Sequence, residues 1–379
     1  MINFYNTLDT KKKLLFIFLT FVVIGFFTQT IFKGLDNSCD LMWQPSKIFW
    51  SGVNHYEYQM RTGDIFLGCQ KGRYGHFFFI FLYPIAIFEW EQAKIIWIIV
   101  NIFFALIIPI IICRHFKINT ITTCLILGIF LTCHPTRMTL NLGQNSLMIL
   151  FFLMLPFVII SNRYKNINFI AAGISYVKYT TGYVLFLNLL VEKKFKKLIL
   201  TSFFTIFGWL FYSYYTNSPL ISNFFDPLKI NMLDDNYIRT GDLYSIINIY
   251  FLKENNLINK VLQFGFVLLG NIYFLYKIKD LKNNLAKLSV ICFLPLIFFP
   301  HSNYDYVLLL PTLIYGFKYS NLKISKYCLC LVLYYFYIHR LARHWINNDM
   351  FYQSGILLIF IIFIVFFIKH IKRNDLSSI

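Results

Sequence analysis

Apolar runs recur along the whole chain, and clusters of lysine bound most of them. A helix needs about 20 apolar residues to span the hydrocarbon of a bilayer. In lipid, such a helix satisfies its own backbone polar groups. The first run, about 14–32, follows Lys11-Lys12-Lys13 and is not followed by a small-residue cleavage site. It is therefore expected to be an uncleaved first helix rather than a signal peptide. Counting onward predicts about 12 transmembrane helices. A shorter run at 77–88, interrupted by Pro84, is too brief to span and reads as a re-entrant or interfacial segment.

Composition agrees with the pattern. Of 379 residues, 58% are hydrophobic, 20% aromatic and only 14% charged, with a mean hydropathy of +0.60. Soluble domains carry about 25% charged residues. The expected fold class is an all-α polytopic integral membrane protein with one transmembrane domain over 1–379. A soluble enzyme, a fibrous protein and a disordered chain are excluded.

The net charge of +18 would suit nucleic-acid binding, but its distribution points to topology. With the N-terminus in the cytoplasm and alternating crossings, the cytoplasmic segments hold Lys11–Lys13, Arg114, Lys117, Arg163, Lys165, Lys193, Lys194, Lys196 and Lys197. They also hold Lys277, Lys279, Lys282, Lys287, Lys318, Lys323, Lys326, Lys369, Lys372 and Arg373. These are 21 of the 35 basic residues, and they share that side with four acidic ones; elsewhere 14 basic residues face 13 acidic ones. That is the positive-inside rule. Both termini are expected in the cytoplasm, the membrane is expected to be a bacterial inner membrane, and no nucleic-acid partner is expected. The same rule predicts a reversal near 176–182, because Arg163/Lys165 and Lys193–Lys197 both belong on one side.

Two long outer loops follow from this topology, at about 33–91 and 217–256, both rich in Asn, Asp, Tyr and Gly. Long loops of this kind usually fold or carry function. Cys39 and Cys69 share the first loop and are able to pair in an oxidising compartment. The pair Asp234-Asp235 reads as solvated. The chain carries no Walker loop, Rossmann fingerprint, zinc motif or Ser-His-Asp signature. Neither a metal nor a cofactor is expected.

Candidate chemistry gathers on the outer side. Asp40 follows the first helix in Asn37-Ser38-Cys39-Asp40, ahead of a segment ending in Ser51-Gly52-Val53-Asn54-His55-Tyr56. Arg73 and His76 precede Tyr83-Pro84, and Trp97 and Asn101 share the next long helix. Gly143-Gln144-Asn145 opens a later helix, Lys178 follows Ala171-Ala172-Gly173, and Pro300-His301-Ser302-Asn303-Tyr304-Asp305 precedes another apolar run.

That ordered set resembles the polyprenyl-phosphate-mannose-dependent mannosyltransferases, glycosyltransferase family 87 of the GT-C superfamily. The likeness covers roughly 35–195, with a weaker echo at 300–311. His55 departs from the Pro usual before the Tyr of the first segment. The resemblance implies a GT-C-type fold and inverting transfer of a hexose, mannose in the family. The partners would be a polyprenyl-phosphate sugar donor, a glycan or glycolipid acceptor at the outer leaflet, and membrane lipids. Such a reaction needs a base for the acceptor hydroxyl and groups that stabilise the departing phosphate. Asp40 is the expected base, its alternative being a helix cap. Lys178 is expected at the phosphate, because an ammonium at membrane level is costly without an anionic partner. His301 would help the phosphate or bind sugar. Gln144 and Asn145 would bind sugar hydroxyls or cap their helix. Tyr304, Asp305, Arg73 and His76 are further substrate-binding candidates. The competing reading is a transporter, flippase or polymerase of lipid-linked glycans.

Overall fold

A computed structural model describes residues 10–39, 41–62, 72–159, 164–232, 241–250, 257–346 and 349–376. The described residues form helices and no strands. Helix α1 (Thr10–Asn37) contains the first apolar run. Then come α2 (Trp43–Trp50) and α3 (His55–Thr62). The 77–88 run folds as two short helices, α4 (His76–Phe81) and α5 (Tyr83–Ala86), with Pro84 in the first turn of α5. Neither is long enough to cross. Two tryptophans of α2 hold this segment: Trp43 Nε1 donates to the Phe88 carbonyl at 3.0 Å, and Trp50 Nε1 to that of Phe79 at 3.1 Å.

Helix α6 (Trp90–His115) is long and apolar. Helices α7 (Thr120–Thr132) and α8 (His134–Leu142) meet at a 54° bend, with Pro135 opening α8. Helix α9 (Ser146–Val158) follows. Helix α10 (Lys165–Ala172) runs into a 3-10 turn over Gly173–Val177, breaks at Lys178, and resumes as α11 (Tyr179–Val191). A Cβ on Gly182 would strike the carbonyl of Ser175. In an unbroken helix those residues would lie about 10 Å apart, so the chain doubles back sharply at Lys178. The rest is α12 (Phe195–Tyr215), α13 (Leu220–Met232), α14 (Leu243–Tyr250), α15 (Leu257–Ile278) and α16 (Asn284–Phe298). A 3-10 turn over Asn303–Leu309 leads into α17 (Leu310–Lys318). Helix α18 (Lys323–Leu333) continues through a π turn into α19 (His339–Trp345), and α20 (Asp349–Leu376) closes the chain.

By length and composition, five helices suffice to cross a membrane: Phe18–Asn37, Trp90–His115, Phe195–Tyr215, Val261–Ile278 and Phe351–Lys372. The bent pair α7–α8 would make six, and α9, α11 and α16 are shorter apolar helices. The protein is thus a polytopic membrane protein, but the described residues do not reach the expected twelve crossings. Length explains the shortfall. A 13-residue helix such as α11 measures about 20 Å, against about 30 Å of hydrocarbon. The short helices instead form the interior: every residue of α16 from Leu285 to Phe298 is buried, as expected of a helix that is apolar all round. Helices α1, α12 and α15 form the periphery, exposing Phe18, Phe21, Ile199, Phe203, Phe266 and Leu269.

Helices α11 and α16 pack side by side, with an ion pair at each end. At one end Glu192 pairs with Lys194 and with the buried Lys287, and Lys287 also donates to the Lys279 carbonyl at 3.0 Å. Two of the lysine clusters therefore meet at the same end. At the other end Lys178 pairs with Asp305.

Candidate active site

Lys178 stands where the chain reverses, in extended conformation between the 3-10 turn and α11. Its ammonium bonds Asp305 Oδ1 at 2.5 Å, with 14% of the lysine side chain exposed and 4% of the aspartate's. Asp305 is held from three sides. Ser146 Oγ donates to the same Oδ1 at 2.5 Å, and the Ser302 backbone N–H donates to Oδ2 at 3.0 Å. The Ser302–Asp305 contact is reciprocal, a capping box that fixes the start of the 3-10 turn. The Tyr304 ring centroid lies 5.2 Å from the Lys178 ammonium. The anionic partner that the sequence assigned to a substrate phosphate is thus, in this structure, a carboxylate of the protein itself.

His301 belongs to the same group. It is buried, stacks edge-on against Tyr306 at 5.2 Å, and feels the charges of Asp242, Asp305 and Lys178. Burial holds its imidazole below the usual histidine range despite the two carboxylates. Its Nδ1 faces the Phe299 carbonyl at 3.2 Å. A neutral ring must therefore carry its proton on Nδ1, which leaves Nε2 as an acceptor. Nε2 is buried and without a partner.

Beside this pair lies the turn before α9. Gly143 ends α8 at φ +70°, a left-handed conformation that glycine adopts at little cost. Trp97 Nε1 donates to the Gly143 carbonyl at 2.8 Å, and Ser38 Oγ occupies the space a side chain would need. Gly143→Ala is expected to cost about 1–3 kcal/mol, read as a lower unfolding midpoint in detergent. Gln144 and Asn145 are fully buried, and Gln144 Nε2 and both side-chain polar atoms of Asn145 have no partner. One turn beyond Trp97 on α6, Asn101 has both amide atoms buried and unpartnered. Asn145 makes no side-chain cap for α9. The structure thus brings Lys178, Asp305, Tyr304 and His301 together, with Gln144 and Asn145 adjoining them through Ser146.

Arg73 and His76 divide. The Gly75 N–H donates to the Val177 carbonyl at 2.7 Å, which lays the 72–76 segment beside the Lys178 turn. Arg73 is half-buried there. His76 points elsewhere: Nε2 donates to the Asn223 carbonyl region, 3.0 Å from the backbone oxygen and 3.1 Å from Oδ1. Burial pushes its pKa down to about 4. It belongs to an aromatic and amide network with Tyr56, Tyr212 and His55 that ties α3 to α12 and α13. His55, the departure from the family pattern, is fully buried there, its Nδ1 2.6 Å from Tyr212 Oη.

Asp40 lies outside the described residues, as do Asp234 and Asp235. Its chain neighbours Ser38 and Leu41 are buried. Cys39 is disulfide-bonded, and Cys69, its expected partner, also lies outside the described residues. Among the described residues no three His, Cys, Asp or Glu side chains gather as a metal site. Two site residues carried no usable sequence signal. Ser146 reads only as a helix start. Asp242, whose carboxylate accepts from Ser245 N and Oγ at 2.8 Å each, reads as the cap of α14.

No curated protein and no solved structure shows significant similarity to the chain. The family model of glycosyltransferase family 87 matches residues 73–300, which include Arg73 and His76, the Gly143 turn and Lys178. That match spans more than half of the chain, and the protein is a membrane glycosyltransferase that belongs to glycosyltransferase family 87.

Proposed function

We propose that the protein transfers a hexose, mannose by family resemblance, from a polyprenyl-phosphate donor to a glycan or glycolipid at the outer leaflet, with inversion. The observation that carries this reading is the convergence of Lys178, Asp305, Tyr304 and His301 at the end of the bundle opposite the Glu192–Lys287 pair. Positive-inside topology puts the lysine-rich end in the cytoplasm and the Lys178 end outside, where a lipid-linked sugar would present its head group.

The chemistry is a single displacement. The acceptor oxygen attacks the anomeric carbon as the bond from that carbon to the phosphate oxygen breaks. Asp40 takes the acceptor proton, and polyprenyl phosphate departs. An ammonium has three N–H donors, and Asp305 engages one of Lys178's. Two remain for the leaving phosphate, while Asp305 holds the cation in place. His301 Nε2, an acceptor, suits a sugar hydroxyl rather than a phosphate. The unpartnered Nε2 of Gln144 and the unpartnered amide of Asn145 supply further donors and acceptors for the sugar. Arg73 flanks the turn as a second cation. No resident cofactor enters this scheme.

The test uses purified protein in nanodiscs with radiolabelled polyprenyl-phosphate mannose and membrane glycolipids. Label leaving the carrier for a second lipid, with polyprenyl phosphate released in equal amount, is the expected result. A carrier that crosses a sealed vesicle intact, with its sugar–phosphate bond unbroken, would instead establish a transporter.

A further inference from the structure

A second cationic group lies on the other face of α8. Thr139 of α8 faces the candidate site, its Oγ1 3.5 Å from the Tyr304 carbonyl. Arg137, two positions earlier, is about 200° round the helix and turns to α1. Its Nε donates to Thr30 Oγ1 at 3.2 Å, its Nη2 reaches Gln29 Oε1 at 3.5 Å, and its guanidinium lies 5.1 Å from the Phe26 ring centroid. Each of these partners is neutral. Arg340, at the start of α19, is exposed, and its charge acts with that of Arg137 on His134. The π turn just before α19 is fixed to the end of α7, next to the bend, by Tyr337 Oη, which lies 2.8 Å from Thr132 Oγ1 and donates to the Ile129 carbonyl at 2.8 Å. Among the described residues, no carboxylate lies within ion-pair distance of either arginine.

Three features mark this group as a binding site rather than a solvated surface. Thr30 sits seven residues before the end of α1, about 10 Å down the helix axis, so Arg137 reaches below the helix end toward lipid depth. An arginine there needs an anion. The group lies at the 54° bend between α7 and α8. Its surroundings face lipid, with Phe26, Tyr337, Ile338 and Leu341 all exposed.

We propose that Arg137 and Arg340, on either side of the α7–α8 bend, bind the phosphate of a membrane lipid whose chains lie against α1 and α19. Guanidinium suits this role because its fork meets phosphate oxygens in pairs. The ligand is either the phosphate of a polyprenyl carrier or that of a bulk phospholipid, and the site stands independently of the sugar-transfer reading.

Native mass spectrometry of the purified full chain tests it, with a short-chain polyprenyl monophosphate, the same polyprenol without phosphate, and phosphatidylglycerol as probes. Wild type is expected to retain one more phosphate lipid per chain than R137Q/R340Q, whose affinity at this site falls about tenfold or more. Arg137→Lys is expected to keep part of the binding and polyprenol to show none. Displacement by phosphatidylglycerol would identify a bulk lipid, and selectivity for polyprenyl phosphate a carrier. If R137Q/R340Q does not fold, R340Q alone, at an exposed side chain, is expected to weaken binding several-fold. Equal lipid retention by wild type and folded variants, or equal binding of polyprenol, would overturn the proposal and leave Arg137 as a clasp between α1 and α8.

Discussion

Asp40→Asn is expected to lower sugar transfer by about 10³-fold while leaving donor affinity within a few-fold of wild type. The acceptor hydroxyl must shed a proton as its oxygen attacks, and an amide cannot accept one at neutral pH. Two carboxylates near the Lys178 turn are already engaged. Asp305 accepts from Lys178, Ser146 and Ser302, and Asp242 accepts twice from Ser245. A base hydrogen-bonded on both oxygens is a poor proton acceptor. Asp40 is proposed for the role from its place in the sequence, two residues after Ser38, whose hydroxyl packs on the Gly143 turn beside Gln144 and Asn145. Initial rates, donor affinity and unfolding midpoint measured together on wild type and variant decide it. A well-folded Asp40→Asn protein with near-normal rate would remove Asp40 from the chemistry.

Asp305→Ala is expected to destabilise the fold by about 3–5 kcal/mol, because it strands the largely enclosed Lys178 ammonium. Removing the other partner is expected to cost less. In Lys178→Met the carboxylate keeps the Ser146 hydroxyl and the Ser302 N–H. The pair K178M/D305L, apolar at both positions, is expected to regain most of the stability, since a buried ion pair is often no better than a packed hydrophobic one. It is expected to stay inactive, since the Lys178 ammonium proposed to meet the leaving phosphate is gone and Arg73 only flanks the turn. Denaturant unfolding in detergent, read beside transfer rates, separates the two effects. A D305A midpoint equal to wild type would show that the pair does not hold this turn.

Much of the fold was legible because lysines and apolar runs report on membrane sidedness. Lysine clusters at 193–197 and 277–287 predicted a common side, and Glu192, Lys194, Lys279 and Lys287 meet there. Arg163/Lys165 and Lys193–Lys197 predicted a reversal near 176–182, and the chain doubles back at Lys178. The Pro84 interruption predicted that 77–88 would not span, and it forms two short helices. Crossing number was less legible. An apolar run reads alike whether it faces lipid or is buried among other helices, and α9, α11 and α16 prove too short to count by length.

For the site, local sequence named Lys178, Asp305, His301, Tyr304, Gln144 and Asn145 but not their pairing. The Lys178–Asp305 bond joins positions 127 apart in sequence and Ser146–Asp305 joins positions 159 apart. Nothing local encodes such contacts, so the lysine's partner was assigned to the substrate when the protein supplies it. His76 misled for the opposite reason. A histidine beside an arginine in an outer loop suggests phosphate binding, but its ring is enclosed by Asn223, Tyr56 and Tyr212.

The most direct measurement is sugar transfer in sealed vesicles of known orientation. Radiolabelled polyprenyl-phosphate mannose and acceptor would be confined to one leaflet at a time. Transfer is expected only when both occupy the leaflet on the Lys178 side, opposite the lysine-rich end. Transfer on the lysine-rich side, or none from any polyprenyl-phosphate hexose with folded protein and host acceptor lipids, would contradict the proposed reaction at that face.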